Sequence, residues 1–110
     1  MKGHNIIMDD FVRNRITQLR LNKGLSEYQL SYDLGHSRGY IHNISSGKSL
    51  PSMSEFFSIC DYFNITPADF FDTSHSNPEL LAKVIEEVKS LNDDDILLLL
   101  TIIMRLKKHN

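Results

Sequence analysis

Residues 26–48 read SEYQLSYDLGHSRGYIHNISSGK, and this stretch decides the fold. Ser26 is placed to cap a helix, and Gln29 three residues later completes an S-x-x-Q capping box. Tyr28, Leu30 and Leu34 recur at helical spacing and predict one apolar face. Gly35 stands where that helix must stop, because glycine enters the left-handed region without a Cβ clash. Ser37 is placed to cap again, and Tyr40, Ile41 and Ile44 supply the apolar positions of a second helix ending at Ser46-Gly47. A helix, a short turn with glycine and a second helix make a helix-turn-helix unit. The second helix leaves Arg38, Gly39, His42 and Asn43 to face outward. Arginine pairs with guanine and asparagine with adenine at the edges of a major groove, so this face suits DNA.

Outward from this unit the pattern stays helical. Asp9-Asp10 open a helix running to about Lys23, with Phe11, Ile16 and Leu19 as its buried stripe and Gly24 as its stop. Residues 1–8 carry no structural signal and read as an N-terminal arm or extension. Downstream, Ser52 caps a helix to Phe63 whose stripe is Met53, Phe56, Phe57, Ile59, Cys60 and Phe63. Thr66-Pro67-Ala68-Asp69 starts a short fifth helix with a capping box and proline at its first position. Thr73 to Asn77 is a polar linker, which predicts that the C-terminal tail is loosely attached. Pro78 begins a sixth helix with one broad apolar face, and Asn92 caps a seventh. The seventh opens on Asp93-Asp94-Asp95 and closes on Arg105-Leu106-Lys107-Lys108, complementing the helix dipole at both ends. Between them, Ile96 to Met104 is apolar except for Thr101, and a helix apolar nearly all round must be covered.

Composition narrows the function. The 110 residues, 41% hydrophobic, suit one small domain with one appendage. The lone Cys60 excludes an internal disulfide framework and fits a reducing cytoplasm. Residues 1–50 hold seven Lys/Arg against four Asp/Glu, while residues 51–110 hold five against ten. Positive charge therefore travels with the helix-turn-helix, as expected where one face meets phosphate. The five histidines show no zinc spacing, and no nucleophile–base set or phosphate loop stands out. No catalysis, cofactor or metal is expected.

The residues from about 9 to 71 resemble the five-helix DNA-binding domain of Cro-type phage repressors and of the bacterial xenobiotic-response-element regulators. Ile16-x-x-Leu19-Arg20, Gly24-Leu25-Ser26, Leu34-Gly35, Ile41-x-x-Ile44, Gly47-Lys48, Pro51-Ser52 and Phe63-Asn64-Ile65 carry the likeness. It implies that Ser37 caps the recognition helix and touches DNA, and that Arg38, Gly39 and Asn43 face base edges. Ser26 and the Ser46-Gly47-Lys48 backbone match positions that grip phosphate. Tyr40 either leans on a sugar or packs against the first helix, and His42 is a surface residue or a DNA contact. Three positions depart from the family pattern. Glu27 stands where glutamine is usual, facing phosphate with a carboxylate. Ser45 stands where a glutamate usually pairs with the residue at Arg20, so Ser45→Glu is expected to restore a pair. Gly39 is read as helix interior, a cost of about 1 kcal/mol relative to alanine.

The expected protein is all-α: a helix-turn-helix head on residues 9–72, a linker on 73–77, and a helical hairpin on 78–110. The hairpin is expected to dimerise through Leu98, Leu99, Ile102 and Ile103. The expected function is sequence-specific DNA binding by a repressor dimer on an inverted repeat. The rival is a protein-interaction module or antitoxin-like adaptor with weak DNA affinity.

Overall fold

The computed structural model describes residues 6–109, with residues 1–5 and 110 outside it. Among the described residues there are seven helices and no strand: α1 (Ile6–Asn22), α2 (Glu27–Asp33), α3 (Tyr40–Ser45), α4 (Met53–Tyr62), α5 (Pro67–Phe70), α6 (Pro78–Val88) and α7 (Asp93–Lys107). Most helix ends follow local chemistry. Ser52 with Glu55, and Thr66 with Asp69, close complete capping boxes on α4 and α5. Asn77 and Asn92 cap α6 and α7 through their side-chain oxygens. α2 stops at Gly35 (φ +77°), where the His36 N–H reaches back to the Ser31 carbonyl at 2.9 Å in a Schellman closure.

Five of these helices enclose one core. Ile16 and Leu19 of α1, Leu30 of α2, Ile41 and Ile44 of α3, Phe56, Ile59 and Cys60 of α4, and Phe70 of α5 are all buried. Phe63 and Ile65, in the connection from α4 to α5, are buried in the same core. Phe56 and Phe70 meet edge to face at 4.9 Å between centroids, a favoured aromatic geometry. Burial pushes the Cys60 thiol up to about 11, so it stays protonated and unreactive.

Several expectations change. α1 begins at Ile6 rather than Asp9, so only residues 1–5 of the expected arm fall outside the described residues. Phe11 is only half-buried, and Met53 and Phe57 of the expected α4 stripe face solvent, as does Tyr28 of α2. The α2 capping box is half-made. Ser26 Oγ accepts from the Gln29 N–H at 2.9 Å, but the Gln29 side chain donates forward to Asp33 at 2.6 Å.

The segment between head and tail is fastened rather than loose. Arg15, 5% exposed, donates from Nε to the Phe70 carbonyl at 2.9 Å and from Nη1 to the His75 carbonyl at 3.1 Å. Its Nη2 donates to the Asp72 carbonyl. One guanidinium thus satisfies the end of α5 and the start of the polar segment. α6 docks beyond it: Pro78 is fully buried and Ala82 packs on the core. α7 has no buried residue. Only its Leu99 is half-covered, at a groove of about 480 Å³ shared with Leu80, Val84, Val88 and Leu91. The two tail helices form an open pair with apolar side chains on the surface. No helix among the described residues is long and apolar enough to cross a membrane.

Candidate nucleic-acid interface

The outward face of α3 is set by what it buries. Ile41 and Ile44 lie on the core side of this short helix, which leaves His42 and Asn43 on the opposite side, both exposed. Other elements fasten the helix at both ends. Its expected cap, Ser37, lends only a turn carbonyl to the Tyr40 N–H at 3.1 Å; the N-cap position is Gly39, with no side-chain cap. The Ile41 N–H is instead met by Ser31 Oγ of α2 at 3.0 Å, and that hydroxyl donates to the Glu27 carbonyl at 2.9 Å. Ser31 is fully buried. At the other end, Arg13 of α1 donates to the Ile44 carbonyl at 3.0 Å and to the Gly47 carbonyl at 3.3 Å. A cation on the last carbonyls of a helix suits both its hydrogen bonding and its dipole.

Gly39 lies in the turn before α3 with open space around its Cβ position, so the helix-interior cost expected for it does not arise. Arg38 shares that turn, exposed, with its guanidinium carbon 5.6 Å from the centre of the Tyr28 ring. Stacking on an exposed aromatic holds a guanidinium in place while leaving its edge donors open. Among the described residues, the Asn43 side chain makes no hydrogen bond to the chain and Lys48 forms no ion pair. Both are exposed, as are Ser26, Ser37, Ser46 and Gly47. Tyr40 is half-buried and committed elsewhere. Its ring stacks on His36 at 3.8 Å and its hydroxyl donates to Glu55 at 2.9 Å, tying α3 to the start of α4. Burial, and then that bond, push the Tyr40 hydroxyl well above its usual range. Glu55 is held low by the Ser52 backbone and then by Tyr40.

The departures at positions 27 and 45 form one arrangement. Glu27 Oε2 accepts from the Ser45 hydroxyl at 2.5 Å, and Oε1 lies 3.1 Å from His42 Nδ1. The Ser45 bond first, then His42 and Arg20, hold the Glu27 carboxyl below its usual value, with burial opposing them. The carboxylate at this contact between α2 and α3 is thus supplied by Glu27 of α2, with the Ser45 hydroxyl of α3 as its donor. Arg20 also donates from Nη1 to the Leu25 carbonyl at 2.8 Å, while its Nε is buried with no partner among the described residues.

Ser31, Arg13 and Tyr28 are the residues that sequence reasoning missed. Ser31 reads as an ordinary polar position of α2, and Arg13 as one more surface base on α1. Tyr28 fits an apolar stripe as well as it fits an exposed platform. Each is explained only by a partner on another element.

An all-helical head that presents a short, well-fastened helix with open Arg and Asn side chains belongs to the helix-turn-helix class of DNA-binding regulators. The comparison with protein families agrees: the family described as a helix-turn-helix domain matches residues 14–75, more than half of the chain. The chain belongs to that family. Neither the curated proteins nor the solved structures gave a match.

Proposed function

We propose that the protein is a sequence-specific transcriptional repressor of the xenobiotic-response-element type that binds an inverted-repeat operator as a dimer. The observation that carries this reading is the face formed by α3 and the turn before it, where Asn43 and Arg38 are exposed with unused donors inside a domain of the helix-turn-helix family. Arg38 and Asn43 take the roles of base readers, with Gly39 allowing close approach to the groove. Ser26, Ser37, Ser46, Gly47 and Lys48 set register on phosphates, and His42 flanks them. Dimerisation through residues 78–110, with Leu98, Leu99, Ile102 and Ile103 in the interface, pairs two heads on half-sites about one helical turn apart. Occupying a promoter in this way blocks it without any catalysis.

The second reading is a protein-interaction module or antitoxin-like adaptor with weak DNA affinity. The Glu27 carboxylate at the head surface favours it, since it opposes phosphate, and so does the exposed apolar tail. Selection of random duplexes by the purified full-length protein separates the two. Recurrence of an inverted repeat supports the repressor, and flat enrichment supports the adaptor.

A further inference from the structure

We infer that α7 pairs with the α7 of a second copy in antiparallel orientation, along a seam of Asp95, Leu98, Ile102 and Arg105. This rests on the proposed dimer and adds the line of contact and its direction.

The four residues are spaced by three, four and three positions, the pattern of a helix–helix seam. Leu98 and Ile102 are 61% and 48% exposed, and Asp95 and Arg105 are exposed as well. Leu99 marks the side of α7 turned to the α6 groove, and Ile103 follows it one turn on. At about 100° per residue, Leu98 and Arg105 point roughly 100–120° from that side, and Asp95 and Ile102 roughly 40–60° from it. The seam is therefore open and apolar at its centre, running along the flank of α7 with Leu99 at its border and Ile103 beyond Leu99.

The charges at its ends choose the direction. The spacing is the same read from either end, so an antiparallel pair centred on position 100 maps the seam onto itself. Leu98 of each copy then meets Ile102 of the other, and Asp95 meets Arg105. The rest of each acidic first turn, Asp93 and Asp94, faces the basic last turn of the partner helix. A parallel pair instead brings the two acidic turns together and aligns the two helix dipoles, and both effects repel. Among the described residues none of these acids or bases forms an ion pair within the chain. Thr101 lies beside the seam and donates to the Leu97 carbonyl at 3.0 Å, so the contact closes without an unsatisfied hydroxyl.

The test uses full-length Asp95→Cys and Arg105→Cys proteins, alone and mixed, under mild oxidation, with light scattering on the reduced samples. Both positions are exposed, and the wild type controls for the buried Cys60. A dimer mass is expected throughout, with a disulfide-linked dimer only in the mixture. Cross-linking of either variant with itself overturns the antiparallel seam and leaves the dimer standing. A dimer with no cross-link in any sample also overturns it, moving the interface off this line of α7. A monomer in light scattering of the wild type overturns the dimer itself, and the seam with it.

Discussion

At the residue scale, Glu27 and Ser45 are best understood as a single replacement. The carboxylate at the α2–α3 contact comes from Glu27 of α2, and the hydroxyl of Ser45 donates to it. The substitution that restores the usual family glutamate should therefore have the opposite effect from the one expected on sequence. Ser45→Glu alone sets a second carboxylate against Glu27 and lowers the melting temperature. Combined with Glu27→Gln it recovers, and a double-mutant cycle in urea should show a coupling of about 0.5–3 kcal/mol. Glu27 also has a pH signature. Its carboxyl is held below 4.5, so its contribution is present above that value and is lost as pH falls through the lowered one. Glu27→Gln should flatten the acid limb of stability below about pH 4.5. On the DNA face, Tyr28→Ala should lose base preference at the position read by Arg38. Tyr28→Phe keeps the ring and should retain that preference; loss in both variants would assign Tyr28 another role. Lys48→Ala should weaken all duplexes alike and reduce the salt slope by about one unit.

At the element scale, the helices themselves are legible in the sequence and their fastenings are not. Helix ends depend on residues three or four positions apart, so Ser52-Glu55, Thr66-Asp69, Asn77 and Asn92 can be read directly. Gly39 reads wrongly as helix interior because Ser37 looks like the cap, whereas Ser37 closes a turn through its carbonyl and α3 starts only at Tyr40, its first apolar position. The cap that α3 uses comes from Ser31, 10 residues away, and its C-terminal clamp from Arg13, 31 residues away from Ile44. Arg15 reaches 55 residues to Phe70. The charge reading changes too: Arg13, Arg15 and Arg20 bind carbonyls of the fold, so the basic excess of the first half is partly structural. Arg15→Ala leaves several carbonyls short of a donor and should cost about 3 kcal/mol, with faster proteolysis at residues 72–76. Arg13→Met should speed amide exchange at residues 47–49 and weaken binding to the preferred site more than to random duplex, because it loosens the helix that presents the base-reading face.

At the scale of the whole molecule, the polar segment 73–77 misleads because composition does not show that Arg15 holds it or that Pro78 enters the core. α6 belongs with the head, and α7 is the element left to make an interface. A deletion that probes assembly must therefore start after Leu91, since one starting at Pro78 removes part of the core. Leu98→Asp and deletion of residues 92–110 should each yield monomers with folded heads and much weaker operator binding. A dimer that survives both places the interface on the head. The central claim is that the exposed face of α3 reads DNA sequence. It is tested most directly by selecting random duplexes with wild-type and Arg38→Ala proteins side by side. The wild type is predicted to recover an inverted repeat. Arg38→Ala should recover the same repeat with preference relaxed at one base per half-site and affinity lower by about 1–3 kcal/mol. No recurring sequence for the wild type, or an unchanged base profile for Arg38→Ala, would contradict it.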